Sequence, residues 1–135
     1  MSHAVSRLRT QRLARAVRPF LNRGSRAERC PGCRVIPEYC LCAWRPQVGA
    51  KSAMCLLMHD VEPMKPSNTG WLIADVIHDT TAFAWSRTEV DPELLRLLAD
   101  PQWQPYIVFP GEFVAPQRVV SEVRVEEGKR PLFIL

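Results

Sequence analysis

Hydrophobic positions recur with a helical period at the start of the chain and gather into short apolar runs later on. Val5, Leu8, Leu13, Ala16, Val17, Phe20 and Leu21 form one stripe with arginines on the opposite side, which predicts an amphipathic helix. Pro19 should end or kink it, and the sequence NRGS that follows reads as its exit. From residue 52 the pattern changes. SAMCLLM (52–58) is a buried strand by composition, and HDVEPMKPSNTG (59–70) is too rich in Pro, Asn and Gly to be regular. Ser67 or Asn68 caps a helix through TGWLIADVI, and the β-branched and aromatic TTAFAWS (80–86) is a strand. DPELLRLLAD has Asp91 at the cap, Pro92 at the first helical position and Glu93 in the first turn. PYIVFP (105–110) reads as another buried strand, RVVSEVRV alternates weakly, and PLFIL (131–135) has the composition of an interior strand. Short apolar strands alternating with helices predict a parallel sheet covered on both faces, an α/β fold.

The length of 135 residues suits one domain. A chain of this size buries roughly two-thirds of its unfolded surface, so no disulfide staple is needed. There is no apolar run long enough to span a membrane and no apolar core of a secretory signal. The arginine-rich start has the look of a mitochondrial presequence. A cytoplasmic location is the preferred reading, because the helix leads straight into a cysteine cluster. In a reducing compartment clustered cysteines favour metal.

Four of the five cysteines fall in RCPGCRVIPEYCLC, with spacing C-x2-C-x6-C-x-C. CPGC is a tight turn in which two thiolates face one ion, with Gly32 free to take positive φ. Cys30, Cys33, Cys40 and Cys42, with no histidine among them, suit a closed tetrahedral zinc site; an iron–sulfur cluster and disulfides are the alternatives. Cys55 reads as a small core residue. The organisation expected is a basic helical arm (1–29), a metal loop (30–46) and an α/β part (47–135).

Charge divides along the same line. Residues 1–29 hold eight arginines against one acid, giving +7, whereas residues 30–135 hold ten basic and thirteen acidic side chains, giving −3. A basic arm on a mildly acidic body suits a polyanion. The arm contains arginine and no lysine, and arginine's planar fork matches phosphates and stacks on bases, so Arg7, Arg12, Arg15, Arg18 and Arg23 are candidate RNA contacts. A solvated helix face is the plainer reading.

The loop after the first strand carries His59, Asp60, Glu62, Lys65, Ser67, Asn68, Thr69 and Gly70, at the position where a parallel sheet binds ligands. Turn and cap chemistry accounts for the same residues without a ligand. Phe109, Pro110, Gly111 and Glu112 follow the third strand and are expected beside that loop. There is no phosphate-binding G-x-x-x-x-G-K and no Ser–His–Asp or Cys–His set.

Taken in order, the arginine-rich helix, RCPGCRVIPEYCLC, LLMHDVEPMKPSNTGWLIAD, AFAWSRTE, VFPGE and PLFIL resemble the DTW-domain family over essentially all 135 residues. The resemblance implies a Rossmann-like fold related to the SPOUT transferases. It also implies transfer of the 3-amino-3-carboxypropyl group of S-adenosylmethionine to N3 of a tRNA uridine. On that basis Lys65, Ser67, Asn68, Thr69 and Gly70, with Phe109, Pro110 and Gly111, are expected to face cofactor or phosphate; the base most like the family's is the aspartate of its Asp-X-Thr-Trp motif, and within these residues Asp60 and Glu62 are the carboxylates at hand for N3. Trp71 departs from the family pattern, which leads one to expect an arginine after the Thr-Gly pair. In this family PLFIL runs on into the Asp-X-Thr-Trp motif, which these 135 residues lack. The expectation is of a chain cut before that motif, with neither strong cofactor binding nor transfer by itself. The competing reading is a non-enzymatic zinc-containing RNA-binding module. A methyltransferase would want a glycine-rich loop after the first strand, and none is present.

Overall fold

A computed structural model describes residues 2–46 and 48–135. The elements run α1 (Ala4–Ala14), β1 (Ala53–His59), α2 (Gly70–Val76), β2 (Thr80–Trp85), α3 (Pro92–Ala99), β3 (Trp103–Ile107) and β4 (Arg130–Ile134), with single 3-10 turns between them. The four strands form one all-parallel sheet in the order β2-β1-β4-β3. The α/β expectation and the interior place of PLFIL are both met.

Both faces of the sheet are covered, which explains the uninterrupted apolar runs. Leu56 and Met58 of β1 pack with Val5 and Leu8 of α1 and Trp71 and Ala74 of α2. The alternate residues Ala53 and Cys55 turn to the other face, where they meet Leu132 and Ile134 of β4, Trp103, and Leu94 of α3. Cys55 is fully buried and lies apart from the other cysteines, as its composition suggested. Burial also pushes its thiol pKa up.

Two expectations are corrected. The first helix stops at Ala14, well before Pro19, with Arg15 as its C-cap. Short helices owe their stability to packing. Val5 and Leu8 are buried, but Val17 and Leu21 have nothing to pack against and are 95% and 73% exposed. The third strand starts at Trp103 and is an edge strand with Ile107 exposed, rather than a buried one. Pro105 fits there because an edge strand can spare a donor. The weakly alternating 118–125 forms no strand; the Gln104 side-chain oxygen accepts the Glu126 N–H (2.8 Å), and the Arg124 N–H donates to the Tyr106 hydroxyl (3.2 Å). By contrast α3 forms as expected, with the Asp91 carboxylate accepting the Glu93 N–H at 2.9 Å.

Candidate metal centre and sheet edge

The four cysteines converge. Cys30 Sγ lies 3.6 Å from the sulfurs of both Cys40 and Cys42, Cys33 Sγ lies 3.7 Å from that of Cys40, and all four fall within 4.8 Å of one another. Thiolates at about 2.3 Å from a tetrahedral zinc are about 3.8 Å apart, so the donor set fits one such ion. A disulfide requires a separation of about 2.05 Å, and all five cysteines are free. An iron–sulfur cluster spreads its thiolates over several irons and needs a wider cage.

Local backbone geometry explains the convergence. The Cys30 N–H donates to the Val35 carbonyl and the Arg34 N–H to the Cys30 carbonyl, each at 2.9 Å, which closes the CPGC turn into a knuckle. The left-handed residue is Arg34, with φ 64°, and not Gly32 as expected. Gly32 is required for space: a Cβ there would lie 2.8 Å from Cys42 Sγ. The Leu41 N–H also points at Cys33 Sγ, at 3.4 Å.

Without an ion's charge the thiols do not ionise alike. The N–H groups of Cys33 and Gly32 stabilise the Cys30 thiolate and bring its pKa down to about 6. Cys42, hydrogen-bonded to Cys30 and Cys40, is pushed up to about 12. A divalent cation is what allows all four to be thiolates at neutral pH. Zinc uptake at pH 7 is therefore expected to release protons, that of Cys42 among them, and the apparent affinity, already falling with pH, should fall more steeply below about 6 as Cys30 protonates. Calorimetry in buffers of different ionisation enthalpy measures this. Uptake with no proton released would contradict it.

The knuckle is fastened to the sheet by a residue that the sequence marked only as a departure. Trp71 is 6% exposed, and its Nε1–H donates to the Gly32 carbonyl at 2.8 Å. The His3 ring meets Trp71 edge-on with centroids 4.4 Å apart, and the Arg34 guanidinium lies 6.0 Å from the indole centroid. His3 in turn caps α1, its Nδ1 accepting the Ser6 N–H at 3.1 Å. His3 Nε2 and Arg45 both approach Asp75 Oδ1 at 3.3 Å. Burial lowers the His3 pKa and raises that of Asp75. The knuckle, α1 and α2 thus share one joint.

At the carboxyl edge of β1, Arg12 donates side-on to both carboxylate oxygens of Asp60, from Nε at 2.8 Å and Nη2 at 2.9 Å. That contact holds the Asp60 carboxyl below its ordinary range. Glu62 is paired with Lys65 at 2.8 Å. Asn68 is buried, its Oδ1 accepting the Gly70 N–H at 2.9 Å. Gly70 is a close approach, since a Cβ would meet the Met58 methyl at 2.4 Å. Asn68 and Gly70 therefore build the turn, while Ser67 and Thr69 are exposed. Thr69, not Ser67 or Asn68, is the N-cap of α2, and it makes no side-chain cap bond.

Phe109, Pro110 and Gly111 are exposed after β3, and β4 lies between them and β1. The two loops are therefore not neighbours across an edge, as expected; they flank the carboxyl end of β4. Of the candidate RNA contacts, Arg7 and Arg12 lie on α1, Arg15 caps it, and Arg18 and Arg23 follow it; Arg7, Arg15, Arg18 and Arg23 are exposed. No helix among the described residues is long and apolar enough to cross a membrane.

These features define a class: a parallel α/β domain with a four-cysteine knuckle that could hold a metal ion, locked onto the helix that follows its first strand. The chain belongs to the DTW family, the DTW domain matching residues 27–135. The match starts just before Cys30 and takes in the knuckle and the whole sheet, so most of the basic arm lies outside it. No solved structure matches the chain.

Proposed function

We propose that the chain serves tRNA-uridine aminocarboxypropyl transfer, with zinc in the knuckle and RNA held by the arm. The observation that carries this is the Arg12–Asp60 bridge. It delivers the end of α1, and the exposed Arg15, Arg18 and Arg23 beyond it, to the carboxyl edge of β1. That is the edge where parallel sheets bind small ligands. The polyanion-binding segment and the ligand edge are thereby side by side.

S-adenosylmethionine supplies a γ-carbon activated by its sulfonium, so the residues of the chain need chiefly to orient it and help N3 lose a proton. Lys65, Ser67 and Thr69 are exposed or half-exposed on that edge and suit the polar groups of the donor. Asn68 and Gly70 support them from beneath. The loop of Phe109, Pro110 and Gly111 forms the far wall. Asp60 acts by anchoring Arg12, which leaves Glu62 the carboxylate to draw the N3 proton once Lys65 turns to the donor.

The test is nucleoside mass spectrometry of tRNA incubated with S-adenosylmethionine and residues 1–135, alone and continued through an Asp-X-Thr-Trp strand. The expected result is modified uridine in the continued form. Modified uridine from neither would overturn the assignment. A second measurement isolates the arm. Changing Arg15, Arg18 and Arg23 to Ala should flatten the slope of log K against log salt by roughly two units, at about 0.7–0.9 per phosphate contact. An unchanged slope would make the arm a solvated surface.

A further inference from the structure

We propose that Arg9, Arg29 and Arg34 form a binding site for one phosphate group where α1 meets the cysteine knuckle. None of the three is among the arginines assigned to RNA above. The site also goes beyond that reading, because a free phosphate suits it as well as a phosphate of an RNA backbone. Arg9 lies on α1 one turn past the buried Val5, which packs in one cluster with Trp71. The Arg34 guanidinium lies 6.0 Å from the centroid of the same indole. Arg29 donates through Nη1 to the Arg34 carbonyl at 3.0 Å and through Nη2 to the Gly24 carbonyl at 3.4 Å. Trp71 and the knuckle turn thus gather three half-buried arginines.

What sets them apart is the want of an acid. Arg12, Arg45, Arg96, Arg124 and Arg130 each pair with a carboxylate. Among the described residues Arg9, Arg29 and Arg34 pair with none, and the other unpaired arginines are exposed to water. The Nε atoms of Arg9 and Arg29 are buried with no hydrogen-bond partner. Carbonyls and an indole orient a guanidinium without cancelling its charge. Burial, together with the charges of Arg9 and Arg29, pushes the Arg34 pKa down, and burial does the same at Arg9. Like charges drawn partly out of water are costly until a counter-ion joins them. Four thiolates on one zinc carry a net charge of two minus, which three guanidiniums outweigh. Phosphate matches the remainder, because its several charged oxygens accept from planar guanidinium forks. Arg9 also stands one turn before Arg12, whose bridge to Asp60 reaches the carboxyl edge of β1. A backbone phosphate held here would lie on the way to that edge.

The test titrates the zinc-loaded chain against inorganic phosphate, read by phosphorus NMR line broadening, and against a short single-stranded RNA. Changing Arg9 and Arg34 together to Gln should abolish the broadening and leave zinc content unchanged. RNA binding should weaken on the order of tenfold. Its slope of log K against log salt should flatten by about 0.7–0.9, the share of one phosphate contact. Arg96→Gln, which removes an arginine already paired with Glu93, should alter none of these. Lost broadening with RNA affinity untouched would uphold the site and assign it to free phosphate. Broadening that survives the double substitution, or an unaltered chain that broadens nothing, would overturn the proposal. So would loss of zinc from the double variant, which would make the arginines a counter-charge to the thiolates. An unaltered chain that binds phosphate but no RNA would fail the RNA reading and leave this site standing.

Discussion

Replacing Cys40 by Ser should abolish tight zinc binding and loosen the N-terminal third of the chain. Cys40 Sγ lies 3.6 Å from Cys30 Sγ and 3.7 Å from Cys33 Sγ, so its loss leaves three thiolates where a closed site needs four. Zinc bound by such a set contributes directly to folding free energy, so losing a ligand costs both metal and local order. The sheet has its own core around Leu132, Cys55 and Leu94 and should survive. Hydrogen exchange should therefore quicken over residues 30–46 and in α1, and stay slow in β1 and β4. Gly32→Ala should act in the same direction with every thiol intact, because its Cβ intrudes on Cys42 Sγ. Uniform protection across the chain in both variants would refute the coupling.

The second large effect is expected at Trp71. Truncating a buried aromatic to Ala costs about 3–5 kcal/mol. Here the loss falls on the joint itself, since the indole packs with Val5, Leu8 and Met58 and holds the Gly32 carbonyl. Trp71→Phe separates the contributions. It keeps most of the packing but deletes the Nε1–H donor, and should cost about 1 kcal/mol from the hydrogen bond. Urea denaturation of both variants measures the difference. Equal stability of Trp71→Ala and the unaltered chain would remove Trp71 as the joint.

What could be read from the sequence follows the range of each interaction. The four thiolates lie within thirteen positions, so spacing alone brought them together. The Asp91-Pro92-Glu93 start of α3 is likewise a matter of neighbours. The Trp71–Gly32 bond spans 39 positions, and no local pattern announces it. The Arg12–Asp60 bridge spans 48, and as a run of charge the arginines said nothing of which one would be held by the sheet. The early end of α1 was hidden because the apolar stripe continues past Ala14 while the surface it would bury against does not. Strand order was hidden for the same reason: β4 inserts between β1 and β3 only once the whole sheet assembles. The left-handed turn expected at Gly32 falls two positions later, at Arg34.

One ion held by four thiolates is expected to organise residues 30–42, which lie within the DTW domain and lead from the arginine arm into its sheet. X-ray absorption at the zinc edge, on protein prepared under reducing conditions and assayed for metal, tests it most directly. The account predicts one zinc per chain in a first shell of four sulfurs at about 2.3 Å. Zinc-free protein, a shell containing nitrogen or oxygen, or iron accompanied by labile sulfide would contradict it.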